Sequence, residues 1–223
     1  MTELDLQYME EAIALGHIGS KTLEVGAAED WCCVKPKLEK RGIKTTSVDI
    51  KNGKYVDHIV DLEQEFDSVQ KCLGKHEPFD SILCFNVLEH TFSPTKVLDN
   101  LLCLLAPGGH LLISTPLSWP LHSYPFDFWR PLPNFYEQYA KRHDLKLLDE
   151  RFHYLGYGLV SEYSSIEGST GFPFPTNGNF KFIWGRLIHR LFNTFGREYL
   201  FPNHLALAVT YRNKEKTVEI DGN

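Results

Sequence analysis

The sequence lacks the features that mark membrane, secreted and nucleic-acid-binding proteins. It has no apolar run near the ~20 residues needed to cross a bilayer, and its acidic N-terminus shows no charged-then-apolar signal pattern. Basic residues are outnumbered by acidic ones, 23 to 29, and the formal net charge of −6 disfavours a partner held through phosphates. We therefore predict no integral membrane segment and no nucleic-acid partner.

Cysteine is scarce, and its arrangement is not that of a disulfide framework. The five cysteines are odd in number, and three of them lie within apolar helix or strand patterns. None is spaced from a histidine as in a zinc site. These are properties of reduced core thiols, so we expect a cytoplasmic protein.

Strand and helix patterns alternate along the first half of the chain. Short apolar runs occupy 22–25, 45–50, 56–62, 81–85 and 111–114, with helical patterns at 4–16, 30–41, 63–73 and 97–105. Further on, the pattern predicts a helix at 135–143 and strands at 145–154 and 204–211. This alternation predicts an α/β fold with a doubly wound, mostly parallel sheet. We predict one domain, 1–223, in which an excursion at about 155–203 forms a lid over the site or lines the side of the site that binds the acceptor molecule.

Polar residues and a glycine follow the predicted strands at the edge where open α/β sheets bind ligands. Gly26 ends the first strand, where it allows a tight turn or the close approach of a ligand. Asp49 ends the second strand, where a carboxylate can accept hydrogen bonds from a ribose diol or cap a helix. Asn86, Glu89 and His90 follow the strand at 81–85. We predict a binding site at this edge.

Together these motifs resemble the class I S-adenosylmethionine-dependent methyltransferases, closest to the small-molecule type 11/12 group. The matching pieces are Glu24-x-Gly26, Asp49, Asp61–Leu62, FDSILCFNVLEH at 79–90 and LLAPGGHLLIS at 104–114. They cover roughly 20–154, and the last strand fits the seventh, antiparallel strand of the family. The resemblance implies a Rossmann-like, seven-stranded sheet and the cofactor S-adenosyl-L-methionine.

The resemblance also implies which residues bind the cofactor. Glu24, Gly26, Ala27 and Ala28 would border the methionine part, and Asp49 would bind the ribose. Ile50, Asp61 and Leu62 would contact the adenine. Asn86, Val87 and Leu88 would line the floor beneath the sulfonium. The first turn departs from the family pattern, because Ala28 and Asp30 stand where further glycines are usual. This departure leaves open an alternative, a catalytically degenerate protein that acts as a binding or partner subunit.

We predict no metal site. Some relatives bind a metal through an E-x-x-E-H pattern, but here an amide, Asn86, replaces the first carboxylate. The remaining Glu89 and His90 would form a poor cage for a hard cation. His90 is expected to be hydrogen-bonded at the strand end instead.

The acceptor side is predicted to lie in the aromatic segment HSYPFDFWRPLP at 122–133. It resembles a loop of a methyltransferase subgroup, several of whose members act in saccharide or secondary-metabolite pathways. His122 is the first candidate for the catalytic base, because imidazole titrates near neutral pH, and Asp127 is the second. Alternatively, Phe128 and Trp129 plug the sheet edge while Asp127 caps the next helix.

The predicted activity is methyl transfer to an oxygen or nitrogen atom of a small-molecule acceptor. A nicotinamide-dependent oxidoreductase is the other enzymatic alternative, and the single glycine of the first turn argues against it. The apolar pattern at 179–195 predicts a helix that packs on the core, closes over the acceptor, or contacts a membrane surface or a second subunit. The sequence leaves the oligomeric state open.

Overall fold

A computed structural model describes residues 3–74, 76–119, 121–123, 125–148, 151–156, 159–164 and 205–214. The predicted helix at 179–195 and most of the predicted excursion at 155–203 lie outside these residues. Within the described ranges, no helix has both the length and the apolar character needed to cross a membrane.

The elements alternate along the chain as the sequence predicts. The helices are α1 (Glu3–Ala14), α2 (Lys35–Glu39), α3 (Phe66–Leu73), α4 (Pro94–Leu104) and α5 (Pro133–Arg142). The strands are β1 (Lys21–Val25), β2 (Lys44–Asp49), β3 (His58–Ile59), β4 (Phe79–Phe85), β5 (Leu105–Ser118), β6 (Lys146–Leu147), β7 (Arg151–Gly156), β8 (Leu159–Ser164) and β9 (Leu205–Arg212). A single 3-10 turn, Leu88–His90, follows β4.

All described strands join one sheet, in the order β3-β2-β1-β4-β5-β9-β7-β8, with β6 beside β9. The strands β3, β2, β1, β4 and β5 are parallel. Strand β9 runs antiparallel to both β5 and β7. The strands from β3 to β7 in this order thus form a seven-stranded sheet with one reversed strand, the last in the chain. This confirms the predicted fold class, to which the edge strand β8 and the short β6 are additions.

The sheet is covered on both faces, because successive residues of a strand point to opposite sides. Ile82 and Cys84 of β4 join a core with α3, α4 and α5. Leu83 and Phe85 of the same strand join a second core with α1 and α2. This arrangement leaves the carboxyl ends of the parallel strands as the edge from which the connecting turns emerge.

Strands β3 and β5 differ in length from the predicted 56–62 and 111–114, and two further differences have a clear origin. Helix α2 begins only at Lys35, because Pro36 fits the first helical turn, where it has no backbone hydrogen bond to lose. The strand predicted at 145–154 is two strands, β6 and β7, both of which pair with β9. The single apolar pattern at 145–154 therefore corresponds to two separate strands, β6 and β7, that pair with the same strand, β9.

Candidate functional site

The turn after β1 packs directly against the turn after β4. Gly26 has φ +86, and a Cβ atom added there would lie 2.5 Å from Cγ2 of Val87. The Gly26 N–H donates to the carbonyl oxygen of Val48 at 2.9 Å, which ties the same turn to β2. Glycine is required here both by the positive φ and by the closeness of Val87. The predicted residues Gly26, Ala27 and Val87 thus meet at one place.

Gly26→Ala should lower the free energy of unfolding by about 1–3 kcal/mol more than Gly42→Ala, measured by urea denaturation. Both glycines have a positive φ, but nothing lies within 4 Å of a Cβ added at Gly42 (φ +79). Gly42→Ala introduces only the strain of a side chain at positive φ. The difference between the two losses of stability therefore measures the clash with Val87. Equal losses in the two variants would contradict the tight packing of the two turns.

Asp49 lies at the carboxyl end of β2 and holds two loops together. Its Oδ2 accepts the N–H of Ala28 and its Oδ1 accepts the N–H of Lys51, each at 2.9 Å. Each carboxylate oxygen has a further lone pair that can accept a hydroxyl group. The neighbouring Ile50 is 63% exposed, at the rim of this edge.

A second glycine near this turn has a steric role that sequence reasoning missed. A Cβ atom added at Gly53 would lie 2.5 Å from the backbone oxygen of Ala28. The loop after β2 therefore crosses the turn after β1 at backbone contact distance. The Asn-Gly pair at 52–53 signals a turn, but not what that turn touches.

Glu24 also lies at this edge, and its carboxyl group is engaged by the chain itself. It is buried, and its two oxygens accept the backbone N–H groups of Val34 at 2.6 Å and Lys35 at 2.8 Å. The Cys33 thiol donates to it at 3.3 Å. Burial raises the pKa of the Glu24 carboxyl. Glu24 therefore fixes the start of α2, a role that the sequence reasoning did not assign.

Asp61 and Leu62 lie just beyond β3. Asp61 accepts the N–H of Glu63 at Oδ1 (2.9 Å), and the carbonyl oxygen of the buried Leu62 accepts the Asn100 amide at 2.8 Å. Asn100 thus anchors this segment to α4, at the same edge as the turns after β1 and β2.

The turn after β4 is tied to the N-terminal helix by a buried carboxylate that sequence reasoning missed. Asn86 has φ +55, and its amide nitrogen donates to Oδ2 of Asp5 at 2.9 Å. The Ser114 hydroxyl, on β5, donates to Oδ1 of Asp5 at 2.5 Å. A carboxylate only accepts hydrogen bonds, so Asp5 turns the amide nitrogen of Asn86 toward itself and the amide oxygen away.

The loop after β5 folds back onto the 3-10 turn after β4. The indole N–H of Trp129 donates to the carbonyl oxygen of Leu88, and the N–H of Phe128 donates to that of Glu89, both at 2.8 Å. Nδ1 of His90 lies 2.5 Å from the carbonyl oxygen of Phe126. His90 is thus hydrogen-bonded at the end of its strand, as predicted.

Within this loop, the Asp127 side chain contacts both Arg130 and His122. Its side chain is buried and forms a two-pronged ion pair with the Arg130 guanidinium at 2.5 and 2.8 Å. Its Oδ2 accepts the backbone N–H of His122 at 2.9 Å and lies 3.1 Å from Nδ1 of the same residue. The Arg130 hydrogen bonds hold the pKa of Asp127 far below its usual range. Asp127 therefore orients His122 and does not cap α5, whose N-cap is Leu132.

The structure brings His122 beside Glu89 and His90. The rings of His90 and His122 are 4.8 Å apart, and one possible ligand atom from each of the three residues lies within 4.8 Å of the others. Neither carboxyl oxygen of the fully buried Glu89 has a hydrogen-bond partner among the described residues. Burial raises the pKa of this carboxyl to about 8. Two imidazoles and a carboxyl group in such a cluster could hold a metal ion.

Comparisons with known proteins agree on one family. Residues 9–162 match the family described as "Methyltransferase domain". The ubiquinone biosynthesis O-methyltransferase of Xylella fastidiosa (strain M23) is 27% identical over 118 residues, which cover 49% of this chain and 46% of that protein. The chain thus spans about half the length of the curated relatives it matches.

Solved structures of low sequence identity share the fold. The N-methyltransferase NodS from Bradyrhizobium japonicum WM9 has a TM-score of 0.54 at 14% identity, over 96% of this chain and 98% of that one. A Burkholderia thailandensis 1,6-didemethyltoxoflavin-N1-methyltransferase, crystallised with S-adenosylhomocysteine, has a TM-score of 0.57 at 12% identity, over 95% and 78%. At these identities the likeness is one of fold alone.

Proposed function

Because the chain belongs to the methyltransferase-domain family, we propose that it transfers a methyl group from S-adenosyl-L-methionine to an oxygen or nitrogen atom of a small molecule. The observation that carries this proposal is the convergence of the turns after β1, β2 and β4 on Gly26, Asp49 and Val87. The predicted acceptor class, a saccharide or secondary metabolite, belongs to the same proposal.

The residues at this edge fit the cofactor. Gly26 allows the turn after β1 to lie directly against Val87, and Asp49 presents carboxylate lone pairs beside this turn. We assign the methionine side to Glu24, Gly26, Ala27 and Ala28, and the ribose to Asp49. The adenine side is assigned to Ile50, Asp61 and Leu62, and the floor beneath the sulfonium to Asn86, Val87 and Leu88. S-adenosyl-L-methionine, when bound, supplies an activated methyl group.

His122 and Asp127 are the proposed catalytic pair on the acceptor side. The carboxylate of Asp127 lies 3.1 Å from Nδ1 of His122, which favours the tautomer with its lone pair on Nε2. A histidine held in this tautomer can accept the proton that an oxygen or nitrogen acceptor loses. The protein otherwise contributes alignment, which lowers the entropic part of the barrier.

We further propose a cytoplasmic protein whose partner is a small molecule rather than a nucleic acid. All five cysteines, which lie in the described part of the chain, are unpaired thiols. Unpaired thiols are typical of a reducing compartment. The net charge of −6 supports the exclusion of a phosphate backbone as partner.

Titration calorimetry with S-adenosylhomocysteine tests the function. The protein should bind it, and Asp49→Ala should weaken binding by about 1–3 kcal/mol, or roughly 5- to 160-fold, through the loss of charge-assisted hydrogen bonds. Asp67→Ala, which removes an exposed carboxylate on α3, is the control and should bind as the unmodified protein does.

Two results would count against the proposal. Absence of binding at high-micromolar S-adenosylhomocysteine would contradict the proposed enzymatic function and favour a protein that keeps the fold and acts as a partner subunit. Equal affinity of Asp49→Ala and the unmodified protein would contradict the assignment of Asp49 to the ribose, but not the proposed function.

A further inference from the structure

We propose that Glu89, His90 and His122 form a binding site for a divalent transition-metal ion. The site differs from the E-x-x-E-H pattern considered in the sequence, because it does not use the residue three positions before Glu89. That residue, Asn86, turns its amide nitrogen to Asp5. The third ligand comes instead from the loop after β5, which the Phe128 N–H and the Trp129 indole N–H tie to the 3-10 turn.

The hydrogen bonds of the two histidines decide what each ring presents to the cluster. A backbone carbonyl oxygen only accepts, so Nδ1 of His90 carries the proton in its contact with Phe126. The carboxylate of Asp127 favours a proton on Nδ1 of His122 in the same way. In each neutral ring the lone pair is then on Nε2, which is the form of imidazole that coordinates metals.

Glu89 supplies the second observation that points to a ligand. Its side chain is fully buried, one oxygen lies 3.8 Å from Nε2 of His90, and neither oxygen accepts a hydrogen bond from any described residue. Buried polar groups are nearly always satisfied. Both terminal nitrogens of Arg130 bind Asp127, and its buried Nε, like the Glu89 oxygens, has no hydrogen-bond partner among the described residues.

The cluster therefore brings three potential ligand groups together, and a bound cation would satisfy the Glu89 carboxylate. Two imidazole nitrogens and one carboxylate suit borderline ions such as Zn²⁺, Co²⁺ or Fe²⁺ better than Mg²⁺, which prefers oxygen ligands. The orientation of His122 by a carboxylate is the outer-shell support found around many metal-bound histidines. A coordinated Nε2 cannot also accept a proton, so His122 would act as a base only in the metal-free protein.

The test uses the full chain, freed of any affinity tag and stripped with EDTA. Titration with Co²⁺ should give visible absorption bands that saturate at one ion per chain, and Zn²⁺ should displace them. Glu89→Gln and His122→Gln should each weaken binding by more than about 10-fold, and Asp127→Asn, which removes the outer-shell partner, by about 10- to 100-fold. The control His143→Gln changes another histidine beside a carboxylate, Asp99 at 3.5 Å, and should bind as the unmodified protein does.

Saturable binding that both Glu89→Gln and His122→Gln leave unchanged would overturn the site, as would the absence of saturable binding. Circular dichroism in EDTA checks that each variant is folded, and Glu89→Gln, nearly identical in shape, keeps the test open if a histidine variant unfolds. Metal binding does not depend on the proposed methyl transfer. If the unmodified protein binds Co²⁺ but not S-adenosylhomocysteine, only the proposed function is contradicted. If it binds S-adenosylhomocysteine but not Co²⁺, only the metal site is contradicted.

Discussion

Glu24→Ala should lower the free energy of unfolding by about 2–5 kcal/mol, because it leaves the buried N–H of Val34 and the partly buried N–H of Lys35 without acceptors. The two oxygens of Glu24 accept these N–H groups at 2.6 and 2.8 Å, at the start of α2. A helix start has no intrahelical partners for its first N–H groups. Urea denaturation at neutral pH measures the loss, which is large against the 5–15 kcal/mol typical of a domain.

Glu24→Gln separates the shape of this side chain from its hydrogen bonding. An amide has one acceptor oxygen, so its NH₂ group would face one of the two N–H donors, and we expect a loss between those of the unmodified protein and Glu24→Ala. The control is Glu39→Ala on the same helix, where the side chain is half exposed and pairs loosely with Lys35 at 3.9 Å. It should cost less than about 1 kcal/mol. A control loss as large as that of Glu24→Ala would show that Glu24 does not anchor α2.

The sheet was predictable because its signals are local. Buried parallel strands appear as continuous apolar runs, as at 81–85 and 111–114, and the parallel pairing of β4 with β5 follows from the crossover helix α4 between them. The start of α2 was predicted too early, at residue 30, although Pro36, which is tolerated only in a first turn, indicates a later start. These features depend on residues that lie close together in the chain.

Parts of the candidate site were not predictable, because they depend on contacts between distant segments. Asp5 lies in an amphipathic N-terminal pattern, where a carboxylate normally faces solvent, yet it is buried against Asn86 and Ser114. His122 was recognised as a reactive group, but its closeness to Glu89 depends on a loop that folds back through hydrogen bonds to main-chain carbonyl oxygens. Every residue has such an acceptor, so the sequence could name the groups without placing them together.

Asp127→Asn should lower the free energy of unfolding by about 2–3 kcal/mol at pH 7, because it removes the charge that binds Arg130 and orients His122. An asparagine keeps one acceptor oxygen but places an NH₂ group against the partly buried guanidinium of Arg130. The variant should therefore lose rigidity in the loop that carries His122 as well as stability. Urea denaturation measures the loss, and Asp67→Asn on the surface of α3 is the control, with an expected change within about 0.5 kcal/mol.

The pH dependence of this difference tests its electrostatic cause. The pKa of Asp127 in the folded protein is held far below its value in the unfolded chain, about 3.9. The folded state therefore binds fewer protons at this group, and the stabilisation is complete above that unfolded value and is lost as the pH falls toward the folded one. The stability gap between the unmodified protein and Asp127→Asn should shrink steadily from about pH 5 to pH 2. A gap that stays constant over this range would mean that the carboxylate acts through its shape and not through its charge.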